Sequence, residues 1–162
     1  MKTTLFAAVL VFFPLASKAE YTKVDMTVFG MDCAPCAHAI HVSMKGIQGV
    51  DKIDVDLNTG LVAIQLTPGN AASLHQFNEA IEKNGFTHKD AKVVARGRIS
   101  GTSSAPVIEI TGTADRYPLI PVAASSAGSF LGKMVVVKGT LPQVPKGKIP
   151  ETFRYDSIEE AK

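Results

Sequence analysis

The chain has 162 residues, enough for one ordinary domain or two very small ones. Hydrophobic residues make up 46% of it and charged residues 20%, so a packed core is available and disorder is not implied. The formal charge is +2, but Lys2 and Lys18 fall in a segment expected to be removed, leaving 15 basic residues against 15 acidic ones. That balance argues against nucleic acid or an anionic membrane surface as the partner.

Residues 1–19 read as a secretion signal. Lys2 supplies a positive start, Leu5 to Leu15 is apolar, and Ser17-Lys18-Ala19 places small residues where a signal peptidase reads. The apolar run is too short to cross a hydrocarbon core of about 30 Å. No cysteine follows Ala19 to carry a lipid, and no later stretch is long and apolar enough to span a bilayer. The expected mature protein begins at Glu20, outside the cytoplasm (periplasmic or secreted), with no membrane insertion after cleavage.

From Tyr21 to Phe29 the alternation of Val24, Met26 and Val28 predicts a strand ending at Gly30. A loop over residues 31–35 follows. From Cys36 a helical stripe of Ala37, Ile40, Met44 and Ile47 runs on until Gly49. Ile53, Val55 and Leu57, then Val62, Ile64 and Leu66, alternate on either side of Asn58-Thr59-Gly60 and predict a hairpin. Pro68-Gly69-Asn70 breaks the pattern. Ser73 with Gln76 forms a capping-box signature ahead of Leu74, Phe77, Ala80 and Ile81, and Asn84-Gly85 suits a left-handed stop. Phe86 opens another extended segment, giving strand, helix, strand, strand, helix, strand: a split βαβ unit.

Past about Lys92 the texture changes. Short strands are expected at 93–99, 107–111, 117–120, 134–139 and 153–158, separated by Gly, Ser and Pro, with a small-residue loop over 123–129. Such spacing predicts a small all-β domain over 93–162, barrel or sandwich, weakly resembling OB-like barrels. It contains no cysteine, no histidine and no acid cluster. Nucleic-acid binding by it is not expected, since basic-aromatic alternation is lacking.

Both cysteines, Cys33 and Cys36, sit in one C-x-x-C. A disulfide there closes a tiny loop and adds little chain-entropy stabilisation, so metal binding and redox chemistry remain as explanations. A thiol near a helix N-terminus is favoured as thiolate by unpaired N–H groups and the macrodipole. Thiolate selects soft ions over calcium or magnesium. Two sulfurs satisfy an ion accepting linear coordination, such as copper(I) or mercury(II), whereas zinc needs about four ligands.

Gly30-Met31-Asp32-Cys33-Ala34-Pro35-Cys36 resembles the G-M-x-C-x-x-C signature of heavy-metal-associated domains. Gly49-Val50 and Gly85-Phe86 also fall where that family has them, and the resemblance covers residues 21–92 or so. It implies a ferredoxin-like βαββαβ sandwich over 20–92 within an α+β chain, binding one soft metal ion. Family members include copper chaperones, N-terminal modules of metal-pumping ATPases and the periplasmic mercury scavenger, the nearest analogue for a small exported chain. The resemblance further implies Met31 turned inward to anchor the loop rather than to ligate, which is simply a core side chain's role, and Phe86 packed beside the loop, screening the ion; ordinary core packing explains Phe86 equally well.

Asp32 departs from the Thr or Ser usual in copper and mercury members. It is similar to the zinc, cadmium and lead pump modules, where that carboxylate can be a third ligand; capping the loop or simple solvation is the plainer role. His38 points away from the thiolates. His38, His41 and Lys45 share one helical face, either a docking stripe for an acidic partner or simply solvated. His75 and His88 have no partner evident from sequence. The expected function is therefore a non-enzymatic carrier, chaperone or scavenger of copper(I), zinc(II), cadmium(II) or mercury(II), serving a membrane transporter or another metal-handling protein. Two alternatives stand: a thiol–disulfide oxidoreductase using the same cysteines, and an adaptor whose β domain docks on a transporter. Against the first, the chain has no Trp, and Pro68 follows a strand rather than preceding one that faces the cysteines.

Overall fold

The computed structural model describes residues 20–110 and 112–162; the expected signal segment lies outside them. The element order is β1 (Glu20–Phe29), α1 (Ala34–Lys45), β2 (Val50–Asp56), β3 (Leu61–Leu66), α2 (Leu74–Lys83), β4 (Thr87–Gly101), β5 (Pro106–Glu109), β6 (Arg116–Pro121), β7 (Met134–Leu141) and β8 (Phe153–Glu160). A 3-10 turn at Ala127–Phe130 lies between β6 and β7. No helix among the described residues is long and apolar enough to cross a membrane.

The first half is the βαββαβ arrangement, an antiparallel sheet in the order β2-β3-β1-β4. Alternation drives it. Val24, Met26 and Val28 on β1 and Val62, Ile64 and Leu66 on β3 are buried, as are Ile40 and Met44 of α1 and Leu74, Phe77 and Ile81 of α2. A helix stripe laid on a sheet face removes both from water, each large side chain contributing about 1.5–3 kcal/mol. The capping box forms as its spacing predicts, with Gln76 N–H donating to Ser73 Oγ and Ser73 N–H to Gln76 Oε1. The Asn58–Gly60 turn is closed by Asp56, whose carboxyl is held below the usual range by the Thr59 hydroxyl and the Asn58 N–H.

Two expectations need correction. Helix α1 ends at Lys45 with Gly46 as its C-cap, not at Gly49, so Ile47 packs from a turn rather than from the helix stripe. The break falls there because Ile47 and Val50 take up turn hydrogen bonds, to Met44 and Ile47 carbonyls respectively. The helix also begins before Cys36, at Ala34, because Pro35 fits a first turn that needs no N–H from it.

The extended segment at Phe86 and the strand expected at 93–99 are one strand. Strand β4 pairs with β1 from Thr87 to Arg96, with β7 from Ala91 to Arg98, and with β5 from Arg98 to Gly101. It runs through residue 92 unbroken. Strands β4, β5, β6, β8 and β7 then pair in succession, and β7 returns to β4, closing a ring; β6 and β8 run parallel. Gly97 stands where β4 passes from β1 to β5. A Cβ there would lie 2.7 Å from the Glu109 carbonyl oxygen, so no larger residue fits that close approach.

One hydrophobic cluster continues through both halves. At their junction it encloses a polar knot. Asp115, just before β6, accepts from the Tyr21 hydroxyl at 2.7 Å and from the Leu74 N–H at 3.1 Å, so it holds β1 and the start of α2 together. Tyr21 also contacts the Tyr117 hydroxyl at 3.3 Å. All three residues are buried. Burial, followed by Tyr117 and the Asp115 charge, pushes the Tyr21 phenol well above its ordinary value; burial and then Asp115 do the same for Tyr117.

Asp115→Ala should lower unfolding free energy in urea titrations by about 3 kcal/mol, since it strands two buried donors; Tyr21→Phe should cost about 1. Because both phenols titrate higher folded than unfolded, stability is intact below the ordinary tyrosine value of about 10. It should fall as pH rises beyond that, and Tyr117→Phe should flatten the decline seen in alkaline denaturation.

Candidate metal centre

The loop carrying the cysteines is positioned from both ends. Gly30 closes β1 with φ +82, a left-handed conformation that glycine adopts without strain. Its α-carbon faces Phe86, whose Cδ1 would lie 3.5 Å from an added Cβ. Met31, 2% exposed, enters the core beneath the loop. Asp32, Cys33, Ala34 and Pro35 are exposed, and Cys36 is half-buried against the core.

Cys33 is the N-cap of α1. Its backbone is extended, and its Sγ accepts the Cys36 N–H at 3.2 Å while its carbonyl accepts from Ala37 at 3.1 Å. Cys36 therefore occupies the third helical position rather than the first. Cys33 Sγ thus takes up an N–H that helix geometry leaves unpaired, and Cys36 lies in the same first turn, where the macrodipole favours negative charge. The two are joined as a disulfide, with their α-carbons 5.1 Å apart. The spacing thus brings the sulfurs together, in the form that carries no thiolate.

Met31 lies beneath the loop, and Phe86 lies beside its first residue and packs on the core. Asp32 is solvent-exposed. Among the described residues no three or more His, Cys, Asp or Glu side chains are grouped so as to hold one ion. Two sulfurs by themselves would suit a two-coordinate soft ion and would not fill zinc's coordination shell.

His38, His41 and Lys45 are all exposed on α1, and Lys45 Nζ donates to the Asp51 carbonyl. His88 is buried, its Nε2 3.8 Å from Glu82 Oε1. His75 lines a cavity beside α2. Asp115 was not legible as a junction residue, because its partners Tyr21 and Leu74 are 94 and 41 residues away.

A profile of the heavy-metal-associated domain matches residues 25–87. The copper chaperone CopZ of Staphylococcus aureus is 34% identical over 61 residues, 38% of this chain and 88% of its own length. The chain belongs to the heavy-metal-associated domain family. Among solved structures, a CopZ metallochaperone is 30% identical and covers 41% of this chain and 98% of its own, with a TM-score of 0.39. Oxidised MerP from Ralstonia metallidurans CH34 is 22% identical over 42% of this chain and 93% of its own, also with a TM-score of 0.39. The family match ends at residue 87, at the first residue of β4.

Because Cys33 both caps α1 and offers a sulfur, these duties can be separated. Serine is itself a favoured N-cap. In the reduced protein Cys33→Ser should therefore keep the helical circular dichroism and change stability little, while Cys33→Ala should cost about 1 kcal/mol in urea unfolding.

Proposed function

We propose that this heavy-metal-associated chain is an exported carrier of one soft metal ion, held between Cys33 and Cys36 and passed on without catalytic turnover. The observation carrying the reading is that the N-cap of α1 and its third residue bring two sulfurs together at the start of one helix. Copper(I) is the cargo that the two-sulfur donor set and the named chaperone relative together support best. Mercury(II) shares the linear preference; zinc(II) and cadmium(II) would need ligands from outside, Asp32 being the nearest candidate in sequence.

Loading begins from the disulfide. Two electrons and two protons from an external dithiol convert it to two thiols, the dithiol becoming a disulfide. The ion then binds as both thiols lose their protons, and the helix N-terminus favours that ionisation. Pro35 and the N-cap hold the sulfurs at one place, Met31 anchors the loop from below, and Phe86 limits water on one side. Exposure of Cys33 leaves the ion reachable for a thiolate of the next carrier, a membrane transporter or other metal-handling protein.

Lys2, the apolar run Leu5–Leu15 and Ser17-Lys18-Ala19 support export to the periplasm or beyond. The order β4-β5-β6-β8-β7 with return to β4 supports reading the second half as an OB-like barrel, built onto the metal-binding half through β4. Its role on this reading is to give the carrier a docking body.

Native mass spectrometry of the reduced protein, with copper(I), zinc(II) and mercury(II) in competition, should show one copper or mercury ion per chain. Cys33→Ser or Cys36→Ser should abolish it, and Asp32→Thr should leave copper(I) stoichiometry unchanged. Equal loading of the doubly alkylated protein would overturn the reading.

A further inference from the structure

Away from the cysteines, α2 and the segment 143–148 enclose a groove. The segment is held in place: Gln143 N–H donates to Asp90 Oδ1 at 2.7 Å, and Lys148 N–H to the Pro145 carbonyl at 3.0 Å. Two adjoining cavities, of about 250 and 380 Å³, share Glu82 and Lys146 as walls. Each far exceeds the roughly 30 Å³ of a single water.

The walls hold polar groups the fold does not use. Asn78 lines the first cavity; it is 4% exposed, and its Oδ1 is sealed from solvent without a hydrogen-bond partner. The Glu82 side chain is 12% exposed, and its Oε1 lies 3.8 Å from His88 Nε2, beyond hydrogen-bonding reach. Asn78 Oδ1 is sealed from the cavity as well, so the acceptor this wall offers is the Glu82 carboxylate, whose long contact to His88 leaves hydrogen-bonding capacity free. Across the groove Lys146 and Lys148 carry positive charge, and among the described residues neither has a carboxylate within ion-pair distance. Lys83 is already paired with Glu79 at 2.9 Å.

We propose that this groove binds a small zwitterion of the α-amino-acid class, its ammonium on Glu82 and its carboxylate on Lys146 and Lys148. The chemistry selects that class. A simple anion would meet the Glu82 carboxylate, and a simple cation would meet two lysines. A metal ion lacks a third ligand, since no group of three forms among the described residues. Only a molecule with both charges close together answers both walls of a cavity this small. Phe86 in the second cavity offers apolar surface for a side chain, which favours an aliphatic amino acid over glycine.

The test is amide chemical-shift titration of the whole reduced chain with L-leucine, N-acetyl-L-leucine, which lacks the ammonium, and L-leucinamide, which lacks the carboxylate. L-Leucine should give saturable shifts at Asn78, Glu82, His88 and 146–148, and each blocked analogue should bind about tenfold or more weakly, as expected for losing one charge-assisted contact. Glu82→Gln and the Lys146→Ala, Lys148→Ala pair should each weaken L-leucine comparably while the remaining spectrum stays folded. Cys33→Ser should not alter it, which separates this site from the metal reading. Absence of saturable shifts, equal binding of the blocked analogues, or undiminished binding by Glu82→Gln would overturn the proposal.

Discussion

Strand β4 has partners along both edges, and the relation of the two halves follows from that. A flexible linker would leave a metal-binding unit and a β unit to tumble independently. Here Ala91 to Arg96 hydrogen-bond to β1 on one side and β7 on the other, so the helix-covered sheet and the ring share a backbone. Asp115 then ties β6 to β1 and α2 through buried bonds that are lost together if the halves part. The groove between α2 and the 143–148 segment exists because of this fixed geometry. One wall belongs to each half.

The cysteine loop, by contrast, draws on local chemistry alone. Gly30 supplies the turn, Met31 the anchor, Pro35 the helix start and Cys33 the cap, all within seven residues. This is why the motif and its surroundings could be read from the chain. The alternation of Val24, Met26 and Val28, the capping box at Ser73 and the turn at Asn58–Gly60 were legible for the same reason, since each is decided by neighbours in sequence. Helix α1 departs from its sequence pattern at both ends because Ile47 keeps helical spacing after the helix has stopped, its burial coming from a turn, and because Pro35, a loop signal in sequence, sits in the first turn.

What sequence did not show depends on long-range pairing. Strand β4 read as two pieces because its first half carries a helix-covered sheet and its second half a ring, and the residue pattern changes between them. The ring's closure rests on β4–β7 and β6–β8 register, which short alternating strands leave unspecified. Asp115, Asn78, Glu82 and His88 looked like ordinary surface or core positions. Their isolation from solvent emerges only when segments 40 or more residues apart meet, as Asp115 meets Leu74.

The two polar regions also differ in what they ask of a ligand. At the α1 N-terminus the two sulfurs are soft, Cys33 exposed and Cys36 half-buried, and joined to each other; on the proposed reading an ion takes the place of that bond once they are reduced. A ligand held there by two sulfurs keeps an open side, and exchange with an incoming thiolate meets little steric resistance. Around Glu82 the groups are hard and of both signs, a half-buried carboxylate facing two exposed lysines, so a ligand there gains by matching charge on two walls. Phe86 touches both regions, lining the groove and facing Gly30 at the head of the cysteine loop. A two-sulfur clamp with one exposed member would suit cargo in transit, whereas a groove with both signs of charge would select its ligand by charge placement.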